Sequence, residues 1–145
     1  MPLAIRPAVP ADVPLVLRLI EGLAEYERLR HECVATEAAL HATLFGAHPA
    51  AEVLIAELDG EPAGFALFFH NYSTFLARRG LYLEDLFVWP HLRGRGVGRA
   101  LLAHLARLAV AERVRHRLLP RARRRPDGRM DRPAPRWRRT AQSRR

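Results

Sequence analysis

The sequence predicts an α/β (α+β) domain in which a mixed, mostly antiparallel sheet is flanked by helices. Three observations predict it. Val16, Leu19, Ile20 and Leu23 repeat at the spacing of one helix face. Two β-rich runs, residues 53–58 and 63–69, are joined by Asp59-Gly60-Glu61-Pro62, a hairpin signal. An apolar run at residues 81–88 then passes through a glycine-rich basic loop into a second amphipathic stretch.

Taken in order, a first strand is expected at residues 3–6, ending at Pro7. In the helix that follows, Arg18, Glu21 and Glu25 lie off the apolar stripe, and Pro10 and Asp12 belong near the first turn. Thr36 suits the N-cap of a shorter second helix carrying Ala39, Leu40, Thr43 and Leu44. The period then shortens to that of strands through residues 53–58, 63–69 and 81–88. A last helix over residues 98–112 places Leu101, Leu102, Leu105, Leu108 and Ala109 on its apolar side.

Composition bounds the classes open to this chain. At 145 residues and 49% hydrophobic content it is expected to be one globular domain. It has no apolar run near the length of a membrane span and no amino terminus of the secretory type, so a soluble cytoplasmic protein with no membrane partner is expected. Cys33 is the only cysteine, which excludes an internal disulfide and suits a small, partly buried hydrophobe. His70, His91 and His104 lack metal-ligand spacing, so no metal site is expected.

The net charge of +9 is unevenly spread. Residues 1–112 hold ten Arg against thirteen Asp or Glu, a balance of −3. Residues 113–145 hold fourteen Arg against two Asp, a balance of +12. The chain is therefore read as a domain over residues 1–112 and an Arg/Pro-rich tail over residues 113–145. The mildly acidic domain suits a cationic substrate.

The strongest motif is Leu83-Glu84-Asp85-Leu86-Phe87-Val88-Trp89-Pro90-His91-Leu92-Arg93-Gly94-Arg95-Gly96-Val97-Gly98-Arg99. Glycines at alternate positions let loop N–H groups approach an anion, and the following helix adds the positive end of its dipole. Arg93, Arg95 and Arg99 add charge, so the favoured ligand carries phosphates. A dinucleotide loop is excluded because Arg99 stands where G-x-G-x-x-G needs its last glycine. A P-loop is excluded because the chain has no lysine.

What remains, Arg93-x-x-Gly96-x-Gly98 after a strand, resembles the acyl-CoA pyrophosphate loop of the GNAT N-acetyltransferase superfamily. Residues 69–88, Ile5-Arg6-Pro7-Ala8 and Leu23-Ala24-Glu25-Tyr26-Glu27 resemble its spermidine/spermine (diamine) acetyltransferase branch. The likeness spans roughly residues 3–112. It implies the GNAT fold, with acetyl-CoA as co-substrate and direct transfer of its acetyl group to a primary amine of a small polyamine, diamine or lysine-like substrate. The cofactor-binding positions it implies are Leu86, Phe87 and Val88, through backbone groups, and Arg93, Gly94, Arg95, Gly96, Val97, Gly98 and Arg99.

Amine acetylation needs a protonated amine to lose its proton before attacking a thioester, a task for a carboxylate or a carboxylate-held water. The resemblance places the base-like glutamate at Glu84. Asp85 points to the opposite strand face by the period of two, so both line one pocket only if the strand is bulged. Asp85 is expected to bind substrate, with Tyr26 and Glu27 at the end of the first helix. A carboxylate beside an aromatic face suits an ammonium ion.

The likeness ends near Arg113. The family continues with a splayed fifth strand, a helix bearing a tyrosine that protonates the leaving thiolate, and two closing strands; here no tyrosine follows Tyr82. Arg, Pro and Ala make up twenty-one of the thirty-three tail residues, so a divergent or frameshifted, disordered carboxyl terminus is expected. The alternatives are a catalytically impaired remnant of such an enzyme, or a basic arm that binds nucleic acid through its phosphates. A fourth strand left without its neighbour is an exposed edge, open to homodimerisation by strand exchange.

Overall fold

The computed structural model describes residues 2–118. Its elements are β1 (Leu3–Pro7), α1 (Val13–Tyr26), α2 (Glu37–Phe45), β2 (Glu52–Leu58), β3 (Glu61–Ser73), β4 (Arg78–Val88) and α3 (Val97–Leu118), with single 3₁₀ turns at Pro10–Asp12, Arg30–Glu32 and Pro90–Leu92. The chain divides into two units, Met1–Val110 and Ala111–Arg145. In the first, the strands form one sheet in the order β1-β2-β3-β4, and every pairing among the described residues is antiparallel.

The sheet is buried on both faces. Val53, Ile55 and Phe65 point to one side, where they pack with Val13, Val16 and Leu19 of α1 and with Leu40 and Leu44 of α2. Leu54, Ala56, Leu58, Ala66 and Phe68 point to the other side and meet Val97, Leu101 and Leu105 of α3. This explains why β2 reads as a continuous apolar run rather than an alternating one.

Local chemistry sets the ends of these elements. The β2–β3 turn places Asp59 at φ 53° and Gly60 at φ 78°, the left-handed pair that a tight hairpin requires. Thr36 Oγ1 accepts from the Ala39 N–H at 3.1 Å, as its N-cap position predicts. α1 ends with Arg28 in the left-handed region at φ 58°. The Leu29 N–H reaches Ala24 O at 2.8 Å and the Arg28 N–H reaches Glu25 O at 3.0 Å, the paired bonds of a Schellman closure.

One expectation needs correction. The last helix does not stop near residue 112 but continues to Leu118, so residues 113–118, assigned above to a disordered tail, are helical. Arg and Leu are good helix formers, and no proline intervenes before Pro120. The remaining tail expectations fall on residues 119–145, outside the described residues. Pro10–Asp12 forms a 3₁₀ turn directly ahead of α1, with Asp12 at the helix N-cap, near the first turn as expected.

That turn is pinned to the sheet by Asp12. Its carboxylate accepts from Arg6 Nη1 at 2.7 Å, from Arg6 Nη2 at 2.9 Å and from the Val9 N–H at 2.8 Å. Arg6 Nε donates in turn to Glu57 Oε1 at 2.9 Å. The Arg6 hydrogen bonds hold the Asp12 carboxyl below the usual carboxylate range, against the opposing effect of burial. A depressed folded-state pKa contributes stability that is full above the ordinary aspartate value and lost as pH falls through the lowered one. Asp12→Ala is expected to destabilise the fold by about 1 kcal/mol at pH 7. The gap between the two proteins in thermal melts should narrow at acid pH; a gap constant with pH would remove the ion pair from the explanation.

Candidate functional site

The loop after β4 is built as its glycines require. Gly94 (φ 76°) and Gly96 (φ 82°) are left-handed, and a Cβ on either would meet nothing within 4 Å, so the backbone there is open to a ligand. α3 starts at Val97, with the Ala100 N–H on Gly96 O at 3.0 Å as its first helical bond. Helix geometry leaves the preceding N–H groups of Val97, Gly98 and Arg99 without helical acceptors, at the positive end of the dipole. An anion fits this cradle. The Val97 side chain lies in the core, so its part in the site is its backbone.

A cavity of about 430 Å³ opens between this loop, the end of β4 and the end of α1. Of the residues expected from sequence, Tyr26, Glu27, Leu86, Phe87, Val88, Arg93, Gly94, Gly96, Val97, Gly98 and Arg99 line it. Glu84, Asp85 and Arg95 lie outside that wall. Leu23 and Leu92 also line it and were not anticipated. Leu23 was within reach of the sequence, since it stands one helical turn before Tyr26.

Strand alternation assigns the backbone groups of β4. The Trp89 N–H bonds inward to Ala63 O at 2.9 Å, whereas Val88 O accepts from Arg93 Nε at 3.1 Å. Phe87 therefore turns its peptide groups toward β3, and Leu86 and Val88 turn theirs to the outer edge. What Phe87 brings to the cavity is its ring.

The condition set for Glu84 and Asp85 is met. Leu67 pairs with Asp85 but Phe68 pairs with Leu83, so Glu84 is the extra residue of a β-bulge. Leu83 and Leu86 both pack on the α3 side, which leaves Glu84 and Asp85 together between them on the other side of the strand. Glu84 is exposed and Asp85 half-buried. Burial first, and then the negative charges of Glu84 and Glu27, push the Asp85 carboxyl above its ordinary value. Glu27, distant in sequence from the adjacent Glu84 and Asp85, thus shares one field with them, and of the three it is Glu27 that lines the cavity. Among the described residues, no group of three or more His, Cys, Asp or Glu is arranged to hold a metal ion.

α1 is seated on this strand at close range. A Cβ on Gly22 would fall 2.7 Å from the Trp89 ring and 3.0 Å from the Phe87 ring. Those two rings meet edge to face at 5.3 Å. Only glycine allows the helix end, with Tyr26 and Glu27, to approach β4 this closely.

The Acetyltransferase (GNAT) family model matches residues 19–125, and the chain belongs to that family. It is 40% identical to thialysine N-epsilon-acetyltransferase of Bos taurus, over 73% of this chain and 66% of the relative. It is 34% identical to the human spermidine/spermine N(1)-acetyltransferase-like protein 1, over 73% of this chain and 16% of that longer protein. Among solved structures, an integron cassette protein from the mobile metagenome of V. cholerae superposes with a TM-score of 0.60 at 28% identity, over 77% of this chain and 70% of its own. The chain thus spans about two thirds of the length of the bovine relative. No helix among the described residues is long and apolar enough to cross a membrane.

Proposed function

We propose that this site transfers the acetyl group of acetyl-CoA directly to a primary amine of a small polyamine, diamine or lysine-like molecule. The observation that carries this reading is the bulge that sets Glu84 and Asp85 side by side, in the field of Glu27, which lines the cavity together with the glycine loop. An acidic mouth attracts an ammonium group, and the loop attracts phosphates. The thialysine and spermidine/spermine relatives carry acceptors of this amine class in their names.

Each residue has a part that follows from its place. The loop glycines and the first turn of α3 bind the donor's pyrophosphate, with Arg95 and Arg99 adding charge. The outward peptide groups of Leu86 and Val88 pair with the donor's amide-bearing arm. Asp85 and Glu27 hold the ammonium ion, and the Tyr26 ring offers it an aromatic face. Glu84, solvent-accessible on the bulge, takes the proton that the amine must lose, directly or through a water; the amine lone pair then attacks the thioester carbonyl, the C–S bond breaks, and CoA leaves as a thiolate that takes its proton from solvent. The outer edge of β4 has no neighbouring strand among the described residues and is open to a second copy of the chain; the mass in solution tests that.

Acetyl-CoA turnover with spermidine, short diamines and lysine-like amino acids, measured on this 145-residue chain, tests the reading. Turnover with at least one of these amines, together with acetyl-CoA binding by calorimetry, is expected. Failure to bind acetyl-CoA would overturn it. Binding without turnover on any amine would leave the loop assignment and reject acetyl transfer, in favour of a catalytically impaired remnant.

A further inference from the structure

Arg93 opens the anion loop, yet it is engaged elsewhere. Its Nε donates to Val88 O at 3.1 Å, and its guanidinium carbon stands 4.2 Å above the centre of the Tyr26 ring and 5.8 Å from that of Phe87. Tyr26 is otherwise 61% exposed at the end of α1. A planar cation lying on an aromatic face gains electrostatic attraction and restricts the ring beneath it. Arg93 therefore ties together the outer edge of β4, the first residue of the loop and the last residue of α1.

We propose that Arg93 is a positioning residue that couples donor binding to the amine site by holding Tyr26 in the cavity wall. This rests on the acetyl-transfer reading above. The stack fixes the wall of the amine site from the donor side, and Glu27, the next residue, is carried with it. An ordered loop then presents an ordered amine site, and a disturbed Arg93 loosens the amine before it loosens the donor. A purely phosphate-binding arginine has the opposite signature.

The test is a double-mutant cycle on Arg93→Lys and Tyr26→Leu, with Tyr26→Phe as the ring-conserving control. Lysine keeps the charge but loses both the guanidinium contact on the ring and the Nε bond to Val88 O. Arg93→Lys is expected to raise the amine KM roughly two- to fivefold, with the acetyl-CoA KM changed less. Tyr26→Leu should do the same, the double variant should be no worse than either single one, and Tyr26→Phe should resemble the parent. An Arg93→Lys effect confined to the acetyl-CoA KM, or amine KM effects that multiply in the double variant, overturns the proposal.

A stability cycle on the same four proteins reads the stack without substrate, and non-additive losses are expected. Additive losses overturn the proposal. A parent chain that acetylates no amine, yet gives a non-additive stability cycle, overturns the acetyl-transfer reading and the coupling with it while leaving the stack in place. An active parent whose KM effects multiply overturns the coupling alone.

Discussion

Glu84→Gln is expected to lower kcat for amine acetylation by about 10²- to 10⁴-fold, the usual contribution of a positioned general base. The substitution keeps the size of the side chain and its place on the bulge and removes its charge together with its ability to take a proton. Glu84 is exposed, so the fold should tolerate the change with little shift in melting temperature. KM values for amine and acetyl-CoA should move less than kcat, because the lost interaction belongs to proton transfer. The loss should shrink as pH rises toward the amine's own pKa, where solvent supplies the free base. A kcat equal to that of the parent at pH 7 would remove Glu84 from the mechanism.

The second large effect is at Asp85, where function and stability should move in opposite directions. Its folded-state pKa is raised by burial and by the charges of Glu84 and Glu27. The folded chain therefore holds the Asp85 proton more tightly than the unfolded chain does. Stability falls as pH rises from the ordinary aspartate value through the raised one, and the full cost is present above the raised value. Asp85→Asn removes the charge, so it should raise the melting temperature at pH 7 and flatten that decline. The same change takes a charged partner from the bound ammonium and should raise the amine KM by about tenfold, the scale of one hydrogen bond to a charged group. In the parent, amine affinity should weaken as pH falls through the raised Asp85 pKa; in Asp85→Asn that step should be absent. Melting curves and amine KM values across pH check both halves. An amine KM insensitive to the substitution would free Asp85 from substrate binding.

The site was legible in sequence to different depths. The loop could be read nearly whole, because an anion cradle is made of consecutive backbone groups and its glycines announce themselves. The helical stripe of α1, the Thr36 cap and the Asp59-Gly60 turn were legible for the same reason, since each is decided within a few residues. The pairing of Glu84 with Asp85 was legible only as a condition. A bulge is a register shift against β3, and nothing local in Leu83-Glu84-Asp85-Leu86 states which residue the partner strand skips. The contacts of Arg93 were not legible. Its neighbours suggested phosphate, but its partners are Tyr26, on another element, and a carbonyl five residues back.

From its sequence alone this chain has a strand, a glycine-rich basic loop and a helix in succession, an acidic body distinct from a basic carboxyl-terminal segment, and membership in the GNAT family. Each rests on short-range order or composition, which survives without knowledge of neighbours. Only the tertiary structure decided that Glu27, Glu84 and Asp85 share one field, that the last helix continues to Leu118, and that Arg93 joins the two sides of the cavity. The physical reason is range. Hydrogen-bonded turns and caps form between near neighbours, whereas pKa shifts, bulges and ring stacking arise where the packed sheet brings distant residues within a few ångströms.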